Sequence, residues 1–220
     1  MLFALGTGGR EGGQVPAERS SGGAAGSKIA PMGQMTAEDR ARAVEGLERS
    51  RDAFLAAVAG LTPEQWRFQP GEGRWSVAEC ADHVLVIERL LLDTAKGLAA
   101  CPADPERAAR VQGKDERLLK ALADRGFKVR NPFPSDPTGE GASPERLAAA
   151  FRQLRSSAIE YAATTSDSLR DHVARHPLLK DLDGVQWLLL ISAHCQRHTA
   201  QIEEVKTDPH YPRAFSAETA

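Results

Sequence analysis

The chain has 220 residues, with 28 Lys and Arg against 30 Asp and Glu, six histidines, three cysteines and 19 glycines. A formal charge of −2 with both signs interspersed lacks the basic footprint that non-specific nucleic-acid binding needs, so nucleic acid is disfavoured as a partner. Cys80, Cys101 and Cys195 are too few and too widely spaced for a disulfide framework or a Cys-x-x-Cys site. The longest apolar runs, such as residues 84–87 and 187–191, are far too short to cross a bilayer. The opening five residues lack the basic region of a secretory leader, so the sequence reads as a cytoplasmic protein without a membrane partner.

Nine of the 19 glycines fall within residues 1–35, a stretch that mixes Gly, Ser, Ala and scattered charges without an apolar period. It buries too little surface to offset the entropy of ordering it, so a disordered N-terminal tail is expected. Met32 and Met35 offer the alternative of a start codon placed too far upstream. The domain is expected over residues 36–213, with a C-terminal tail at 214–220.

From Thr36 onward the start signals are helical. They are Thr36 with Asp39, Thr62 with Gln65, Ser76 with Glu79, Ser143 followed by Pro144, and Asp183 with Gln186. Each places a side-chain acceptor at an N-cap, and Ser76 with Glu79 is a complete capping box. Behind the first cap the apolar residues Val44, Leu47, Phe54, Val58 and Leu61 recur at helical steps, with Arg51 where an apolar residue is expected. An arginine on that seam can pair with a buried carboxylate, bind an anionic substrate or extend its head out of the domain.

The second long segment carries Val77, Cys80, Val84, Ile87, Leu91 and Leu98. A Pro-rich connection over residues 101–142 follows, with one further helical stretch around 106–125. The third long segment carries Leu147, Phe151, Leu154, Ala158 and Tyr161, and the fourth Trp187, Ile191, His194, His198, Gln201 and Val205. Four long amphipathic helices predict an all-α four-helix bundle, and a connection that long predicts a crossover along it. No alternating strand pattern is legible.

His194 and His198 lie four apart, so both rings leave one face of one helix and can reach a common ion. Taken alone, His-x-x-x-His also fits paired core or surface histidines. Cys195 stands where a zinc protease carries Glu, which argues against peptide hydrolysis of that type. His83 lies on or beside the inner stripe of the second helix, three after Cys80 and four before Ile87. It is the best third ligand, although a lone satisfied core histidine has the same signature. Gln201 can orient a ligand ring or act as a polar cap at the bundle end.

The remaining candidates read as structural. Cys80 is a small core residue, and Cys195 is turned about 100° from His194 and so is not a ligand beside it. Glu79 is occupied by its capping box. His172, His176 and His210 fall in loops or near helix ends. Trp66, Trp75 and Trp187 are expected to pack at bundle ends, where aromatic rims can also shape a pocket.

The string from Trp75 to His83, with His176-Pro-Leu-Leu, Gln186-Trp187 and the final His194-x-x-x-His198-x-x-Gln201-Ile202, resembles the DinB-like superfamily over about residues 36–213. That family includes the damage-inducible DinB proteins, YfiT-type metal-dependent hydrolases, and S-transferases and isomerases that use low-molecular-weight thiols. The resemblance implies an up-down-down-up bundle and a divalent ion, zinc or nickel, held by His83, His194 and His198. It also implies a small-molecule substrate, a low-molecular-weight thiol as co-substrate, and a homodimer. The leading expectation is a metal-dependent enzyme acting on a small molecule by thiol transfer or hydrolysis. The alternative is a non-catalytic, metal-stabilised bundle serving in stress response or binding.

Overall fold

The computed structural model describes residues 33–126 and 143–213. The expected tails at residues 1–32 and 214–220 lie outside this range, as do residues 127–142 of the long connection. The packed domain extends back to Gly33, because Met35 is buried against the core and the Gly33 carbonyl accepts from the Arg170 amide at 2.8 Å.

Four long helices dominate: α1 (Ala37–Val58), α3 (Val77–Leu98), α6 (Pro144–Thr164) and α7 (Gly184–Lys206). Shorter helices are α2 (Pro63–Arg67), α4 (Pro105–Ala109) and α5 (Asp115–Ala123). All five anticipated caps are made. Thr36, Thr62, Ser76 and Asp183 each form a reciprocal capping box, and the Ser143 side chain accepts from the Arg146 amide. Each such cap satisfies amides that the helix itself cannot, for about 1 kcal/mol.

α1 and α3 each pack mainly against α6 and α7, so they stand diagonally across the bundle. Side-chain links fix the directions. Arg40 near the start of α1 donates to the Ala162 and Thr165 carbonyls at the end of α6, making those two helices antiparallel. Arg74 before α3 pairs with Asp208 beyond the end of α7, which makes that pair antiparallel as well. Arg170 joins Asp39 of α1 to Asp183 at the cap of α7, so α1 and α7 run the same way. The order is up, down, down, up. α3 therefore ends at the opposite end of the bundle from the start of α6, and the chain travels back along α7, on which α5 packs.

Two sequence expectations need correction. The stretch around residues 106–125 is two helices, because Gly113 adopts φ +73° between α4 and α5. A strand pair also exists: β1 (Val173–His176) and β2 (Lys180–Asp183) form an antiparallel hairpin with His176 opposite Lys180. Four-residue strands are too short to show an alternating period. The hairpin is held by its turn, where His176 Nδ1 accepts from the Leu178 and Leu179 amides at 3.2 and 3.1 Å and Lys180 takes φ 65°. It leads directly into α7, whose Gly184 lies so close to the turn at Leu169–Asp171 that a Cβ there would sit 2.9 Å from Leu169 Cδ2.

The interior falls into two apolar clusters along the bundle axis. One gathers Leu47, Ile87, Leu91, Ala158, Leu188 and Ile191. The other gathers Phe54, Val58, Val84, Phe151, Cys195 and Ile202. Between them lies a polar layer of Ser50, Glu88 and Arg155, all essentially inaccessible to solvent. The inward position in this part of α1 is thus Ser50, while Arg51 is turned about 100° away and pairs with Asp52 at 2.8 Å.

Candidate metal centre

The antiparallel contact of α3 with α7 sets the first turns of α3 beside the second half of α7. His83 from α3 and His194 and His198 from α7 meet there, and one ligand-type nitrogen from each lies within 4.8 Å of the others. The ring centroids are 5.1 Å apart for His83 and His194, 4.6 Å for His83 and His198, and 4.5 Å for His194 and His198. His83 is buried, and the two α7 rings are partly buried.

Two neighbours fix the rings. His198 Nδ1 lies 2.9 Å from Gln201 Oε1, which can only accept, so Nδ1 donates and the lone pair is left on Nε2. Gln201 thus orients one of the three rings, as a hydrogen-bond partner to a metal-binding histidine does. Trp75, immediately before the Ser76 cap, lies 4.8 Å from the His83 ring and stacks on His198 at 6.0 Å with 21° between planes. It is therefore a wall of the site as well as a bundle-end residue.

Electrostatics keep the two α7 rings neutral. Burial, then the nearby His83, pushes His198 down to about 3. Burial, followed by His198 and His83, holds His194 well below the usual histidine range. Arg197 and Arg125 also act against charging His198. Neutral imidazoles with convergent nitrogens are the form a divalent cation requires. Among the described residues the group contains three histidines and no cysteine or carboxylate. The donor set fits a borderline-soft divalent ion with a coordination position left for another molecule.

The other candidates lie elsewhere. Arg51 is engaged with Asp52, and is not a member of the histidine group. Cys80 and Cys195 are buried, their thiols pushed up to about 12 and 11 chiefly by that burial, and neither is a member. His176 is buried in its hairpin turn beside Trp187. Sequence reading missed the buried pair of Arg155 and Glu88. A signal existed, because Arg155 falls four residues after Phe151 and three before Ala158, on the inward stripe.

The sequence pattern of the DinB superfamily matches residues 46–202, well over half of the chain. Bacillus subtilis (strain 168) YuaE is 24% identical over 149 residues, covering 68% of this chain and 88% of that protein. Among solved structures, Bacillus subtilis YfiT aligns with a TM-score of 0.50 and 17% identity over 80% of this chain and 90% of its own. YfiT is described as a probable metal-dependent hydrolase with an unusual four-helix bundle topology. Its likeness supports the bundle architecture, and the sequence match places this chain in the DinB superfamily.

Proposed function

We propose that this protein is a metal-dependent enzyme acting on a small molecule, by hydrolysis or thiol transfer, at a divalent ion held by His83, His194 and His198. The observation that carries the reading is the convergence of three imidazole nitrogens within 4.8 Å, with no fourth member of the group among the described residues. A structural zinc site is closed by four protein groups, whereas a reactive one keeps a position open. When bound, a zinc or nickel ion supplies Lewis acidity and lowers the pKa of a water or thiol.

The chain's own residues prepare the place. Gln201 holds the His198 proton on Nδ1, Trp75 covers one side of the rings, and burial of His194 and His198, with His83 beside them, keeps those two uncharged. The buried thiols of Cys80 and Cys195 are held protonated at neutral pH, which disfavours them as nucleophiles and favours a thiol brought by a co-substrate.

The test begins with elemental analysis of untagged protein, in which about one zinc or nickel per chain is expected. His194→Ala and His198→Ala should each lose it, and full metal content in both variants would refute the site. Metal-restored protein is then assayed against activated esters and against electrophiles supplied with low-molecular-weight thiols. Inactivity throughout, together with a large loss of thermal stability on chelation, would favour a metal that only stabilises the bundle. The expected homodimer is tested separately by light scattering.

A further inference from the structure

The polar layer that divides the core contains an ion pair with essentially no solvent access on either side. Arg155 Nε and Nη2 reach the two Glu88 carboxylate oxygens at 2.6 and 2.5 Å. Arg155 Nη1 donates to the Leu47 carbonyl at 2.6 Å and to Ser50 Oγ at 2.5 Å. The guanidinium also lies 4.9 Å from the Phe151 ring centroid. On the far side of Ser50, its carbonyl accepts from Cys195 Sγ at 3.6 Å. A single layer therefore joins Ser50 of α1, Glu88 of α3, Arg155 of α6 and Cys195 of α7.

Such a layer is a poor source of stability. Taking two charges out of water offsets most of their attraction, and well-packed apolar side chains of similar volume commonly do as well or better. What the layer does provide is direction. A two-pronged guanidinium has one productive plane, and its third nitrogen is committed to a carbonyl and a hydroxyl of another helix. A helix rises 1.5 Å per residue, so sliding α3 by a single residue would break the pair and leave a buried charge. Apolar contacts tolerate such a shift far better, and α1 and α3, standing diagonally, have little direct packing to resist it.

The layer also adjoins the histidines along the chain. Glu88 lies five residues after His83 on α3, and Cys195 directly follows His194 on α7. α1 is the common reference, because Ser50 takes Arg155 on its hydroxyl and Cys195 on its carbonyl. A close approach of α1 to α7 supports the same register, since a Cβ on Gly46 would sit 3.0 Å from Ser192 Oγ.

We infer that Glu88 and Arg155 are positioning residues for the histidine group, fixing the axial register of α3 so that His83 stands opposite His194 and His198. Their importance for a metal rests on the function proposed above, whereas the register they set exists in the metal-free protein. The test uses full-length protein with two readouts: contacts between the His83 and His198 rings in NMR spectra of the metal-free form, and affinity for Co(II) with its visible spectrum. Glu88→Leu combined with Arg155→Met should stay folded, lose the inter-ring contacts and bind Co(II) at least about tenfold more weakly. Arg155→Lys, which retains the charge without the fork, should weaken both readouts to a lesser degree. Unchanged ring contacts in either folded variant would overturn the inference, and Arg155→Lys decides alone if the double variant does not fold. If wild-type protein shows the contacts but binds no Co(II), the metal reading fails while the register is still decided by the NMR arm.

Discussion

The two ends of the bundle solve the problem of buried polarity in opposite ways. At one end Arg170 contacts Asp39, Asp115 and Asp183 together, the last two at 2.8 and 2.9 Å, and Gln186 adds a bond to Asp115 at 2.9 Å. One guanidinium meets three carboxylates there, tying α1, α5 and α7 to the turn at Leu169–Asp171. At the other end three like groups converge, and burial together with the neighbouring imidazoles makes protonation of His194 and His198 harder. The carboxylates of the first end find their hydrogen-bond donors inside the protein. Converging lone pairs of neutral rings suit a cation from outside, which makes the histidine end the place to look for a ligand.

That contrast can be broken most directly at the histidines. His194→Ala or His198→Ala should abolish stoichiometric metal binding, a greater loss than the roughly 10–100-fold caused by removing a ligand's hydrogen-bond partner. Metal titration checks this, and the metal-free variants should unfold near the wild-type temperature. Arg170→Met should do the reverse. It leaves three carboxylates in a largely buried setting and should cost about 3–5 kcal/mol in urea unfolding, while the folded fraction keeps its metal affinity. If Arg170→Met abolished metal binding in the folded state, the two ends would not be independent.

Gln201→Leu is a finer probe. It should lower metal affinity by about 10–100-fold with little change in fold stability, because it frees the His198 ring without removing a ligand. Equal affinity in this variant would reduce Gln201 to a surface amide.

A further expected effect is in pH dependence. His176 is pushed down to about 4 by burial and His198 to about 3 by burial and then His83. Below about pH 6.5 the unfolded chain takes up protons at these histidines and the folded chain does not. Stability of the metal-free protein should therefore fall as pH drops from about 6.5 towards 3, by at most about 1.4 kcal/mol per pH unit for each histidine. Asp183 opposes this between about 6 and 3.8, since burial raises its pKa to about 6 and the folded state binds its proton first. Urea unfolding at pH 7 and 5 gives the net sign, and a rise in stability on acidification would contradict the buried neutral histidines.

The parts of this molecule legible in the sequence are those encoded locally. The five caps named from the sequence were readable because a cap and its third helical residue are three positions apart, whereas the Asp104 cap of α4 was missed. His194 and His198 were readable because one helix face carries both, and His83 because the resemblance supplied the partner that spacing could not. The place of Arg155 on its stripe was readable, but its pairing in the polar layer was not. Arg155 and Glu88 are 67 positions apart, and a charged residue on an apolar stripe carries no sign of whether it snorkels outward or meets a partner. The assignment of Arg51 to the seam shows the same limit at smaller scale, because one residue of helical phase separates it from the inward Ser50. The hairpin escaped because its stability lies in a turn histidine and one left-handed lysine rather than in a pattern.

The diagonal placement of α1 and α3 has a consequence for how the protein is made. The two helices that carry the histidines are the second and the last of the four long ones, and their imidazoles are more than a hundred positions apart in the chain. A nascent polypeptide that has emerged only as far as the hairpin holds one of the three. Its helices already have their caps, but the large loop that joins His83 to α7 is still open. The site cannot assemble before the final helix docks, so capture of an ion would report on completed folding rather than begin it.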